Sequence, residues 1–197
     1  MTSEPTVKKK TRSSRLLSPV YCALFAVIIT ICSYITIPFT IPFTLQTLGI
    51  FLTLLLLGGK RGTLSVTLYL LLGCIGVPVF SGFRGGIGVL LSNTGGYIAG
   101  FLLVAFIYWA CTALFGNKFP VKLLSLLLGL FFCYLFGTLW FYFGYTNVEQ
   151  YDSVWSILLV CVVPFLIPDF IKLGIALSLA KILQKALPEE LRENLFF

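Results

Sequence analysis

An acid and a base stand three residues apart inside an otherwise apolar stretch. Asp169 and Lys172 lie within Ile167-Pro-Asp-Phe-Ile-Lys-Leu-Gly-Ile-Ala-Leu-Ser-Leu-Ala180. On a helix that spacing puts both side chains on one face, where they can neutralise each other. A lone charge at the centre of a membrane helix costs about 2.5–3.5 kcal/mol on insertion scales. Two plainer roles exist for these residues. An acid in a helix's first turn complements its dipole, and a lysine near a helix end can extend its ammonium to water. A serine would cap the helix at lower cost than a buried ion pair. The pair is therefore read as a site, with Asp169 accepting N–H donors from a ligand and Lys172 meeting a carboxylate or holding Asp169 in place.

A second group of candidates lies in Pro78-Val-Phe-Ser-Gly-Phe-Arg-Gly-Gly-Ile-Gly-Val-Leu-Leu-Ser-Asn-Thr-Gly-Gly-Tyr97. Its glycines allow a backbone to approach a ligand or a helix closely. Arg84 is the one basic residue there, either a solvated loop side chain or a ligand contact. Asn93 and Thr94 precede a helix that they can cap, and Asn93 is also a candidate contact.

Other chemistries are poorly served. The chain has no histidine, which removes the commonest general base and the usual zinc and serine–histidine sites. Glu149 and Asp152 read as solvated loop carboxylates. The six cysteines stand singly in apolar runs, without metal-ligand or disulfide spacing. Gly58-Gly-Lys-Arg-Gly-Thr63 lacks the spacing of a phosphate-binding loop, so any ATP-driven step belongs to a partner. No catalytic residue, metal or cofactor is expected.

The elements that must hold these residues follow from composition. The chain has 197 residues, 58% hydrophobic and 11% charged, with a mean hydropathy of +1.01. Such a chain is an integral membrane protein. Its apolar runs are continuous rather than alternating, which selects helices over a closed barrel. The runs predict six crossings, at about 19–37, 45–57, 64–77, 97–115, 123–142 and 168–184. The tandem Ile37-Pro-Phe-Thr-Ile-Pro-Phe-Thr44 is expected to be an extended outer loop, and 154–163 a short outer segment before a break. Pro168 is expected at the first helical position of the last crossing.

The net charge of +7 is not a nucleic-acid patch. Lys8, Lys9, Lys10, Arg12 and Arg15 precede the first run. Lys60 and Arg61 share one turn, Lys118 and Lys122 another, and Lys181, Lys185 and Arg192 close the chain. Six crossings put all twelve on one side, which the positive-inside bias makes cytoplasmic, with both termini. The expected organisation is a basic tail at 1–17, a membrane domain at 18–186 and a C-terminal tail at 187–197. Cys22, Ala23 and Ala26 offer a small-residue face for close helix packing, within the bundle or toward another subunit.

Thr44-Leu-Gln-Thr47, Arg61-Gly-Thr-Leu-Ser-Val-Thr-Leu-Tyr-Leu-Leu-Leu-Gly73, Gly76-Val-Pro-Val-Phe80, Thr94-Gly-Gly-Tyr97 and Pro164-Phe-Leu-Ile-Pro-Asp-Phe-Ile-Lys172 occur in this order. Together they resemble the biotin-specific S component (BioY family) of energy-coupling factor (ECF) vitamin importers, over about residues 18–186. The resemblance implies an all-α, six-transmembrane-helix bundle of the ECF S-component type. It implies a biotin pocket near the outer face, lined by the last three crossings and roofed by outer loops. Asp169 and Lys172 match the family's acid-x-x-lysine, and Asn93 a polar pocket position where many relatives have proline. Arg84, Thr94, Tyr97 and Gln46 complete the substrate-binding candidates. The expected partners are biotin, the lipid bilayer of a bacterial cytoplasmic membrane, a transmembrane T subunit and two cytoplasmic ATPases. The family's small-xxx-small patch on the first helix reads Ala23-x-x-x-Val27 here. Two alternatives stand beside biotin capture: an S component for thiamine or riboflavin, and a structural membrane subunit that binds no small molecule.

Overall fold

The computed structural model describes residues 12–37, 43–149 and 154–186. The order of elements is α1 (Arg12–Tyr34), β1 (Thr36–Ile37), β2 (Phe43–Thr44), α2 (Gln46–Cys74), α3 (Ile87–Leu90), α4 (Gly95–Phe115), α5 (Phe119–Glu149), α6 (Val154–Cys161) and α7 (Val163–Ala186). Among the described residues, α1, α2, α4, α5 and α7 are long and apolar enough to cross a membrane. Their outward faces are apolar: Val20, Leu114, Phe131 and Phe143 are all exposed.

α2 covers two of the expected crossings. It breaks at Gly58, whose φ of 74° and ψ of 178° belong to a region open almost only to glycine. Past the break the chain folds back on itself. A Cβ at Gly62 would lie 3.0 Å from the Leu54 Cα, and the Gln46 amide donates to the Tyr69 hydroxyl at 2.7 Å. Residues 8 and then 23 positions apart thus meet in order, as they must in two antiparallel arms, 46–57 and 59–74.

The core forms where the arms of α2 pack against α1, α4 and α7. Ile29, Leu54, Val66, Tyr69, Val104 and Leu126 are fully buried there. α4 and α5 approach closely because glycines face the partner backbone. A Cβ at Gly100 would sit 2.7 Å from the Cys133 sulfur, and one at Gly129 only 2.9 Å from the Val104 Cα. Small residues let membrane helices pack this way without help from the hydrophobic effect. In α1, Cys22 and Ala26 are buried against the bundle while Val27 is exposed. The Cys22 thiol points at the Arg61 carbonyl at 3.5 Å. Two of the three small residues are therefore used inside the bundle.

Several boundaries differ from expectation. Pro19 lies inside α1 rather than at its start. The proline-rich connection is a small hairpin, pairing Thr36 with Thr44 and Ile37 with Phe43; residues 38–42 lie outside the described residues. α5 runs on to Glu149, which ends a helix rather than lying in a loop, and Asp152 lies outside the described residues.

The largest correction concerns Pro168. α7 starts at Val163, five residues earlier than expected, so Pro168 is interior. Pro164 already takes the first-turn place that proline favours. The one backbone bond that Pro168 forfeits is to the Pro164 carbonyl, itself near the helix end. Asp169 and Lys172 consequently sit in the second and third turns of α7, and the first turn holds no acid. The helix-dipole role for Asp169 falls with that shift. The short segment before the break is a separate helix, α6, which ends at Cys161.

Candidate functional site

A cavity with about 110 Å³ of water-accessible space opens between β2, the start of α2, the α2–α3 connection, and α4 to α7. That is well above the roughly 10–15 Å³ needed to admit a single water, and leaves room for several waters or one small molecule. Phe80, Phe101, Leu130 and Phe165 supply apolar wall. Polar groups concentrate at two poles, one deep and one at the rim.

The deep pole is centred on Asp169, which is 3% exposed, and Lys172, which is 4% exposed. The Lys172 ammonium donates to Asp169 Oδ1 at 2.7 Å and to Thr47 Oγ1 at 3.1 Å. Thr47 in turn donates its hydroxyl to Asp169 Oδ1 at 2.9 Å, and the Tyr134 hydroxyl donates to Oδ2 at 2.5 Å. The ammonium also lies 4.0 Å from the centre of the Phe43 ring, a cation–π distance. Three chain segments far apart in sequence converge here. α7 carries the ion pair, α2 brings Thr47 and α5 brings Tyr134.

A carboxylate offers about four acceptor sites. Three are filled by protein donors, which leaves Asp169 room for one further N–H from a ligand. Lys172 bonds to a carboxylate and a hydroxyl and is faced by a ring, so it serves the aspartate.

The remaining candidates divide. Gln46 lines the cavity and reaches Tyr69, whose hydroxyl donates to the Val79 carbonyl at 3.3 Å. Tyr97 lines it, with its hydroxyl 3.2 Å from Thr138 Oγ1. Thr94 lines it too; it precedes α4 without a side-chain capping bond, and its hydroxyl lies 3.4 Å from that of Ser92. Arg84 lines the rim. Asn93 is half-buried beside Thr94 and is not part of the cavity lining. Thr47 and Tyr134 were missing from the expected site. Thr47 sits in a quoted motif without an assigned role, and nothing in its own helix distinguishes Tyr134.

A family model described as the BioY family matches residues 5–189. The chain belongs to the BioY family. Relatives within that family include the "Biotin transporter BioY" of Thermotoga maritima, 39% identical over 163 residues, spanning 82% of this chain and 92% of that protein. The "Probable biotin transporter BioY" of Pyrococcus horikoshii is 36% identical over 163 residues, covering 82% and 93% respectively. Among solved structures, the S-component for biotin from an ECF-type ABC transporter aligns with a TM-score of 0.75 and 29% identity. That alignment covers 92% of this chain and 98% of the solved one. The BioY-family chain is a multi-pass membrane protein, and the family match spans the start of α2 and the α7 helix that help build the cavity.

Proposed function

We propose that the protein takes up biotin, as the substrate-binding S component of an ECF-type importer rather than as an enzyme. Family membership, the biotin transporters among its relatives and the fold of a biotin S-component support this. The observation that carries it to particular residues is the buried cluster around Asp169, set in an apolar cavity. Biotin presents a ureido group with two N–H donors, an apolar thioether ring and a carboxylate. Asp169 has one acceptor site to spare for a ureido N–H, and the phenylalanine walls suit the ring.

Six crossings follow from counting the two arms of α2 separately, with α1, α4, α5 and α7 as the others. At 1.5 Å per residue the arms are about 18 and 24 Å long, shorter than the core of a bilayer, and neighbouring helices bury most of α2. Lys60 and Arg61 at the reversal and the basic tail before α1 then share the cytoplasmic side, and the cavity opens outward. The chain sits in a cytoplasmic membrane. A transmembrane T subunit and two cytoplasmic ATPases supply the energy, consistent with the lack of a nucleotide loop in the sequence. They reorient the loaded subunit to release biotin inward.

Calorimetry on the purified chain, with biotin, desthiobiotin, thiamine and riboflavin as titrants, tests the proposal. Tight binding confined to biotin and desthiobiotin is expected. Binding of thiamine or riboflavin in their place would keep the transport class and discard the specificity. A folded protein that binds none of the four would contradict a capture role.

A further inference from the structure

Biotin is an anion, and the deep pole offers it no spare positive charge. Asp169 and Lys172 cancel, and the Lys172 ammonium is already engaged by a carboxylate, a hydroxyl and a ring. Arg84 is different. It lines the same cavity and is exposed. Its Nε donates to the Ser81 carbonyl at 3.1 Å, and among the described residues its terminal guanidinium nitrogens have no partner. Those two nitrogens form the end-on fork in which a guanidinium can hold a carboxylate bidentately.

The turn bearing Arg84 is firmly built. Phe80 and Arg84 exchange backbone bonds, Phe80 N to Arg84 O at 2.9 Å and Arg84 N to Phe80 O at 3.3 Å. Between them Phe83 takes a φ of 57°, uncommon for a non-glycine residue, and its ring lies 4.3 Å from that of Tyr34. Just past the turn, a Cβ at Gly85 would collide with the Val77 carbonyl, so only glycine fits there. The end of α1 and the start of β1 tie the whole segment down. Ser33 Oγ donates to the Val79 carbonyl at 2.6 Å, the Tyr34 hydroxyl to the Pro78 carbonyl at 2.5 Å, and Thr36 Oγ1 lies 3.0 Å from Ser81 Oγ.

We infer that Arg84 is the carboxylate anchor of the cavity, so that biotin lies with its ureido ring at Asp169 and its carboxylate at the rim. This rests on the biotin reading and adds an orientation to it. The neutral end of the ligand enters the buried pole, where an uncompensated charge would be costly, and the charged end stays where water reaches it. The cavity therefore selects against ligands that present a ureido-like ring without an acid at the far end.

The test compares biotin with biotin methyl ester, which keeps the ring and removes the charge. Both are titrated into the full chain in nanodiscs, as wild type and as Arg84→Gln, Arg84→Lys and Lys172→Met. The wild type should prefer biotin by about tenfold, the scale of one charge-assisted interaction at a wet rim. Arg84→Gln should weaken biotin by about that factor, leave the ester unchanged and erase the preference. Arg84→Lys should retain part of it. Lys172→Met should weaken both ligands alike and keep their ratio. A wild type that binds biotin and its ester equally, an Arg84→Gln chain with an undiminished ratio, or a Lys172→Met chain that loses the ratio would each overturn the anchor. A wild type that binds neither ligand overturns the biotin assignment itself, a separate failure.

Discussion

The deep pole and the rim of the cavity both carry charge, and they handle it in opposite ways. At the deep pole, Asp169 and Lys172 are almost wholly buried, paired at 2.7 Å and bonded further by Thr47 and Tyr134. At the rim, Arg84 is exposed, lines the cavity and, among the described residues, is held through its Nε alone. In a membrane helix an unpaired charge is expensive, whereas a neutral, fully bonded pair can be retained and gives fixed acceptors for a ligand. At a wet rim an unpaired cation costs little and is available for a ligand's own charge. In the proposed capture of biotin, polarity placed deep reads shape and donors, and polarity placed at the mouth reads charge.

The strongest way to break this contrast is to remove the cation from the deep pole. Lys172→Met leaves Asp169 buried without its partner, and should destabilise the fold by about 3–5 kcal/mol, measured by denaturant unfolding in micelles. Adding Asp169→Asn to that variant should restore most of the stability while biotin binding stays weakened. A double variant as unstable as the single one would mean that the uncompensated charge is not what destabilises it.

A smaller change sharpens the same region. Tyr134→Phe deletes one donor to Asp169 and should cost about 1.5–3 kcal/mol in stability, with a weaker hold on biotin. Intact stability and affinity in this variant would show that the α5 contribution to the deep pole is dispensable.

At the rim the effects should be smaller and of another kind. Arg84→Gln should change stability by less than about 0.5 kcal/mol. Biotin affinity of the wild type should fall as salt rises from 0.01 to 1 M, because an exposed charge is screened, and that salt dependence should shrink in Arg84→Gln. Equal salt dependence in the two proteins would remove Arg84 from the site.

The legibility of the two poles in the sequence also differs. Asp169 and Lys172 stand out because charge is rare in an apolar run, and Arg84 because it breaks the positive-inside pattern. Thr47 and Tyr134 carry no such contrast. A threonine and a tyrosine are ordinary in membrane helices, and they acquire meaning only when the fold brings positions 47, 134 and 169 together. The reversal at Gly58 was legible because Gly58-Gly-Lys-Arg-Gly62 combines glycine with charge between two apolar runs. The start of α7 was not, since Pro164 and Pro168 each satisfy the rule for a first-turn proline and only packing decides between them. Asn93 was a candidate from the glycine-rich outer segment and from the family's polar pocket position, and the cavity lining includes Thr94 beside it.

The most direct test of the deep pole is a biotin titration of Asp169→Asn beside wild type in identical nanodiscs. Asparagine keeps the side chain's shape and leaves Lys172 an acceptor, but it removes one charge of a buried pair and should cost stability, so circular dichroism first establishes that the variant is folded. The expected result is a loss of about a hundredfold in affinity, the scale of one strong hydrogen bond to a buried charge. Wild-type affinity in a folded Asp169→Asn protein would contradict the assignment of this carboxylate as the acceptor at the heart of the site.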